Sequence, residues 1–240
     1  MTRPVDTETF EASLIRYCSP TLAGLKPAAL FTYSGVYAVD PDATPAEIED
    51  MRHHRCALLE TIELVQQKLS PARIKIEVLV WRSCGALVYV YRPAELRAYL
   101  LDPLASIPLK RAGYDPDDPE GCIPVLAARI ARASKHGAEC AIARTPCPNG
   151  CRCTFPHEMG FFLGYPYEDV LGFIEHGGRD CLAVGPWKVY AHLDRALRTF
   201  KRYRRCTETF TARYREGCTI ETLACSRTTG SPVAPAALTR

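Results

Sequence analysis

The run RIKIEVLVWRSCGALVYVY, Arg73–Tyr91, decides the fold class. Ile74, Ile76, Val78 and Val80 alternate with Lys75 and Glu77. Side chains that change face at every residue mark a half-buried strand. Ser83-Cys84-Gly85 reads as a short turn, and Ala86–Tyr91 as a second β-rich run. The pair predicts an antiparallel hairpin. Upstream, Thr44-Pro45-Ala46-Glu47 is a capping box with Pro pre-setting the first turn, and Ile48, Met51, Leu58, Ile62, Val65 and Leu69 continue it as a helical stripe. Further back, residues 6–17 predict a helix capped by Asp6 or Thr7, with Phe10, Leu14 and Tyr17 on one face. Pro20, Gly24 and Pro27 then break the chain before a short strand at Ala28–Tyr33.

Downstream, Pro93 and Asp102-Pro103 start two helices, and a third is centred on Ile123–Ser134. Phe155–Leu163 reads as a strand, and Pro166 opens a helix with Val170, Leu171, Phe173 and Ile174 inward that ends at Gly177-Gly178. Cys181–Tyr190 reads as a strand. His192–Glu216 reads as a long amphipathic helix burying Leu193, Leu197, Phe200, Tyr203, Phe210 and Tyr214. The mixed order favours an α+β fold: a mostly antiparallel sheet backed by helices, in one domain over residues 1–223. A three-layer α/β arrangement is the alternative. Residues 136–154 read as a Cys-rich surface excursion, and residues 224–240 as a disordered tail.

The composition bounds the function. With 240 residues, 47% hydrophobic and 24% charged, the chain can bury a sizeable core. A net charge of +3 is too small to argue for nucleic acid, and the Arg and Lys residues of the last long helix mostly mark its wet face. No apolar run is long enough for a bilayer and the N-terminus lacks an apolar leader core, so a cytoplasmic protein with no membrane partner is expected. Cys56, Cys122, Cys181 and Cys206 sit singly in apolar segments and read as small buried hydrophobes of a reducing compartment.

Several residues carry candidate chemistry, each beside a plainer reading. Cys18, if a helical turn starts at Pro20, lies at its positive end, where a thiolate is favoured; the alternative is a buried Cys closing the first helix. His157 and Glu158 pair an imidazole with a carboxylate for proton transfer, or are a backbone-bonded His and a surface or ion-paired Glu. The amides of the helix turn after FFLGYPY (Phe161–Tyr167) offer an anion site, which Glu168 and Asp169 oppose. Trp187 and Val189 share one face of a strand, Lys188 and Tyr190 the other. Lys26, Arg92, Tyr165, Lys188 and Tyr190 are the candidate ligand-binding residues, with Lys188 and Arg92 holding negative charge. Cys140, Cys147, Cys151 and Cys153 could hold zinc, although no C-x2-C knuckle is present; the alternative is a redox-labile loop. Glycine-rich nucleotide loops, a Walker loop, a nucleophile elbow and C-x-x-C are absent, and no cofactor is singled out.

The segments CSPTLAGLKPAALF (Cys18–Phe31), LVYVYRP, FPHEMGFFLGYPYEDVLGFIEHGG, WKVY and FKRYRRCTETF together resemble an uncharacterised bacterial family, DUF3793, over roughly residues 8–220. The resemblance implies a single cytosolic domain with no assigned activity. The Cys-rich stretch before Phe155 and the Gly-Pro ahead of Trp187 depart from the family pattern. The resulting expectation is one site, where Cys18, His157 and Lys188 converge, that binds or transforms a small anionic molecule. The alternatives are an interaction or regulatory protein working through its basic helix, which leaves a protein partner open, or a metal- or redox-responsive protein using the Cys-rich loop.

Overall fold

A computed structural model describes residues 5–143 and 156–225, with side chains described outside 134–143. The sheet that organises them has three antiparallel strands: β1 (Ala28–Tyr33), β2 (Lys75–Arg82) and β3 (Gly85–Tyr91), in the order β1-β3-β2. The Arg73–Tyr91 run forms the expected hairpin, with Arg82 opposite Gly85. Its second arm is the central strand, and every residue of β3 is buried. Alternate side chains of β3 serve two separate cores. Ala86, Val88 and Val90 face one; Leu87, Tyr89 and Tyr91 face the other.

The first core is closed by α1 (Thr7–Leu22), α2 (Pro45–Leu69) and α9 (Ile220–Cys225). The capping box of α2 forms as expected, with the Glu47 carboxylate accepting from the Thr44 amide at 2.8 Å. The second core is closed by α3 (Pro93–Leu100), α4 (Pro103–Arg111), α5 (Pro119–Ala143), α6 (Met159–Phe162) and α7 (Tyr167–His176). A two-stranded hairpin, β4 (Ala183–Val184) and β5 (Lys188–Val189), and the long α8 (Leu193–Arg215) complete the described chain. The fold is α+β, with an antiparallel sheet and helices on both of its faces.

Several local expectations are corrected. Helix α1 runs through Cys18-Ser19-Pro20 to Leu22 instead of stopping near Tyr17. It ends in a Schellman turn: Leu25 N–H donates to Pro20 O, Gly24 N–H to Thr21 O, and Gly24 takes φ +69. Tyr17 is 48% exposed rather than inward. A bulge between Val78 and Val80 moves Val80 to the opposite face from Ile74 and Ile76. Helix α5 starts at Pro119 and carries its backbone through Ala143, well into the stretch read as an excursion. Residues 159–162 are a helical turn, not a strand; a short all-apolar run has no period that separates the two. Gly185-Pro186 splits the strand expected at Cys181–Tyr190 into β4 and β5. In α7, Leu171 and Ile174 point out at 39% and 43% exposure, while Asp169 and Gly172 are buried. Cys56 is exposed, and Cys181 and Cys206 are half-buried; Cys122 alone of those four is buried as expected.

Candidate functional site

A groove opens where α1, the Gly24–Pro27 loop, the turn between β4 and β5, and α8 meet. Its volume is about 670 Å³, and Tyr17, Pro20, Lys26, Val184, Pro186, Leu197, Phe200, Lys201, Tyr203, Arg204 and Glu208 line it. The α8 residues come from one face. Leu197, Phe200, Arg204 and Thr207 follow one another at three or four residues, so a single helical stripe presents both aromatic and basic groups.

The walls are held by stacked rings. Tyr17 lies parallel to Phe31, with centroids 5.5 Å apart. Trp187 is wedged between Tyr165 at 5.3 Å and Phe200 at 4.6 Å. Its indole N–H donates to Asp169 Oδ2 at 2.6 Å. The other oxygen of Asp169 accepts the amides of Tyr190 and Ala191 at 2.7 and 2.9 Å. This buried carboxylate therefore has three donors, which satisfies it without a counter-charge. It ties α7 to the β5 segment, whose Trp187 packs on Phe200 of the groove. Sequence reading treated Asp169 only as charge at a helix start. Its spacing from Trp187 carries no local signal.

Lys26 enters the groove half-buried, with Nζ 5.2 Å from the centre of the Tyr165 ring. Burial pushes its ammonium down to about 8, and the neighbouring Cys18 partly offsets this. Burial likewise pushes the phenols of Tyr165 and Tyr203 up to about 12, so both stay neutral at physiological pH. Among the described residues, none of Lys26, Lys201, Arg204 and Glu208 forms an ion pair. Three cations thus face the groove against one carboxylate.

The expected convergence of Cys18, His157 and Lys188 does not appear in this groove, which none of them lines. Cys18 is fully buried beside Lys26, and burial pushes its thiol up to about 12. It sits inside the last turns of α1, not at a helix N-terminus, so the dipole argument for a thiolate fails. His157 and Lys188 meet across Phe173, at ring-centre distances of 5.0 Å and 5.7 Å, and Lys188 Nζ donates to Gly178 O at 2.6 Å. Tyr190 lies in the same cluster, stacked on His176 at 5.5 Å. Glu158 is taken up structurally, accepting from Arg129 at 2.7 Å and Tyr114 at 3.1 Å.

The Arg92 side chain is turned to the backbone. Its guanidinium donates to the carbonyls of Thr21, Leu22 and Ala72 at 2.7, 2.5 and 2.9 Å. It caps the C-terminal end of α1, where backbone acceptors are left over. Of the ligand-binding candidates, Lys26 lines the groove, Tyr165 lies against it, and Lys188 and Tyr190 belong to the separate Phe173 cluster.

Among the described residues, no group of three or more His, Cys, Asp or Glu is placed to hold a metal. Cys147, Cys151 and Cys153, and the side chain of Cys140, lie outside the described residues. No described helix is long and apolar enough to cross a membrane.

The family profile described as Protein of unknown function (DUF3793) matches residues 14–224. The chain belongs to the DUF3793 family. The match takes in the second half of α1, the sheet and α8, so every residue that lines the groove in this DUF3793 protein falls within it. No curated protein and no solved structure matches the chain.

Proposed function

We propose that this DUF3793 protein binds a small anionic molecule with an apolar or aromatic body in the groove between α1 and α8. One observation carries the reading: Lys26, Lys201 and Arg204 face an aromatic-walled groove with no carboxylate paired to any of them. Charge left unpaired over apolar walls is matched by a ligand that has both an anionic head and a flat or greasy body. A volume of about 670 Å³ is that of a small-molecule site.

Native mass spectrometry of protein purified from its host tests this. The expected result is a bound anionic species of small mass, lost in the Lys201→Glu/Arg204→Glu variant. A ligand that persists in that variant would place the site elsewhere.

A second reading has an acidic protein docking on the outer face of α8, where Arg195, Arg198, Arg202 and Arg205 are exposed. A stoichiometric partner lost on charge reversal at Arg202 and Arg205 would favour it. Either reading sits in a bacterial cytoplasm, supported by the eight free thiols among the described residues.

A further inference from the structure

We infer that Lys26 is the reactive group of this groove, an amine that condenses with the carbonyl of an anionic aldehyde or ketone bound there. The inference rests on the groove being the ligand site, and it names the substrate class. Its geometric basis is a half-buried primary amine that lines the groove with Nζ over the Tyr165 ring and, among the described residues, no carboxylate paired to it. Lys26 comes from the α1–β1 connection, and Lys201 and Arg204 from α8. A ligand that reaches all three residues has its anionic head on the α8 pair and its carbonyl at Lys26 Nζ.

The local chemistry suits the step. An amine attacks a carbonyl only when unprotonated, and at about 8 a substantial fraction of Lys26 is neutral near physiological pH. Tyr165, against which Nζ lies, offers a ring face and a neutral phenol rather than a carboxylate that would hold the proton on. The step balances without a co-reactant. The Nζ lone pair forms a bond to the carbonyl carbon, and the C=O π pair moves to oxygen, which takes a proton. Loss of that oxygen as water, with both amine hydrogens, leaves a C=N bond to Lys26, and no electron is gained or lost overall. Glu208 is the one carboxylate in the groove available to relay those protons.

Pyridoxal phosphate, an anionic aromatic aldehyde, is a suitable probe, and pyridoxine phosphate is its counterpart without the carbonyl. The full chain is incubated with the aldehyde, reduced with borohydride and mapped by peptide mass spectrometry. Binding of the alcohol is measured in parallel by calorimetry. The expected result is one reduced adduct per chain at Lys26, with a rate that rises through an inflection at about 8. That rate should exceed the rate at exposed lysines near neutral pH by on the order of a hundredfold. Lys26→Arg should abolish the adduct, with none appearing at Lys201 in its place. If the alcohol binds and Lys26 is labelled no faster than Lys110 or Lys201, the imine inference fails and the groove reading stands. If neither probe binds, both fail.

Discussion

Lys26 is held where its charge is unwelcome, and that has a measurable sign. Its folded-state pKa is lowered from 10.5 to about 8, chiefly by burial. Between those values the unfolded chain holds more protons than the fold, so the lysine adds stability as pH rises through that window; below about 8 it is a standing cost. Lys26→Met should therefore raise stability near neutral pH by about 1–3 kcal/mol, read from the denaturant midpoint, with the gain shrinking toward pH ~10. Cys18, raised from 9.0 to about 12, acts oppositely over its own window, and stability it contributes is lost as pH climbs through it. Arg92→Ala should cost about 2–4 kcal/mol, because backbone carbonyls at the end of α1 lose charge-assisted donors. It should leave ligand affinity unchanged, which binding measurements on the folded variant would check. Sequence reading took Arg92 for an anion contact because a lone Arg after a strand looks the same in either role. Only the meeting of α1, the Ser70–Ala72 turn and that strand end distinguishes them.

At the scale of elements, the groove depends on how loops are seated. Gly164 takes φ +68, and a Cβ there would lie 2.2 Å from Pro27 Cγ, next to Lys26. Gly164→Ala combines left-handed strain with a collision against a rigid ring. It should cost about 2–4 kcal/mol and weaken probe binding by displacing the Lys26 loop, as thermal melts and calorimetry would show. Asp169→Asn places an amide N–H₂ against either the Trp187 indole N–H or two backbone donors, whichever way it turns. It should cost about 1–3 kcal/mol and shift Trp fluorescence. Elements with a strong local signal were legible: the Thr44 capping box, the Arg73–Tyr91 alternation, and the Gly177 end of α7, which has φ +59. Others were not, for identifiable reasons. Pro20 falls in the last turn of α1, so its missing N–H removes one helical bond just before the Schellman turn ends the helix. Met159-Gly160-Phe161-Phe162 is buried on all sides, so its pattern shows no period.

At the scale of the molecule, the α+β class followed from one hairpin flanked by helical segments. The site did not follow, because it is made by packing between parts of the chain distant in sequence. Cys18 does lie beside Lys26, but His157 and Lys188 gather around Phe173 instead. The signal for the groove was in α8, whose Leu197, Phe200 and Tyr203 were read as core. Leu197 is 41% exposed, and the rings of Phe200 and Tyr203 are only partly covered, leaving an apolar wall unfilled. Helical spacing places such residues on one face without saying what covers them. The most direct measurement is calorimetric titration of pyridoxine phosphate into the wild-type chain and into Lys201→Ala/Arg204→Ala. Saturable one-site binding by the wild type and a loss of at least about tenfold in the variant are expected, consistent with two missing charge-assisted contacts. Equal affinity in the two proteins would show that the α8 cations hold no anion.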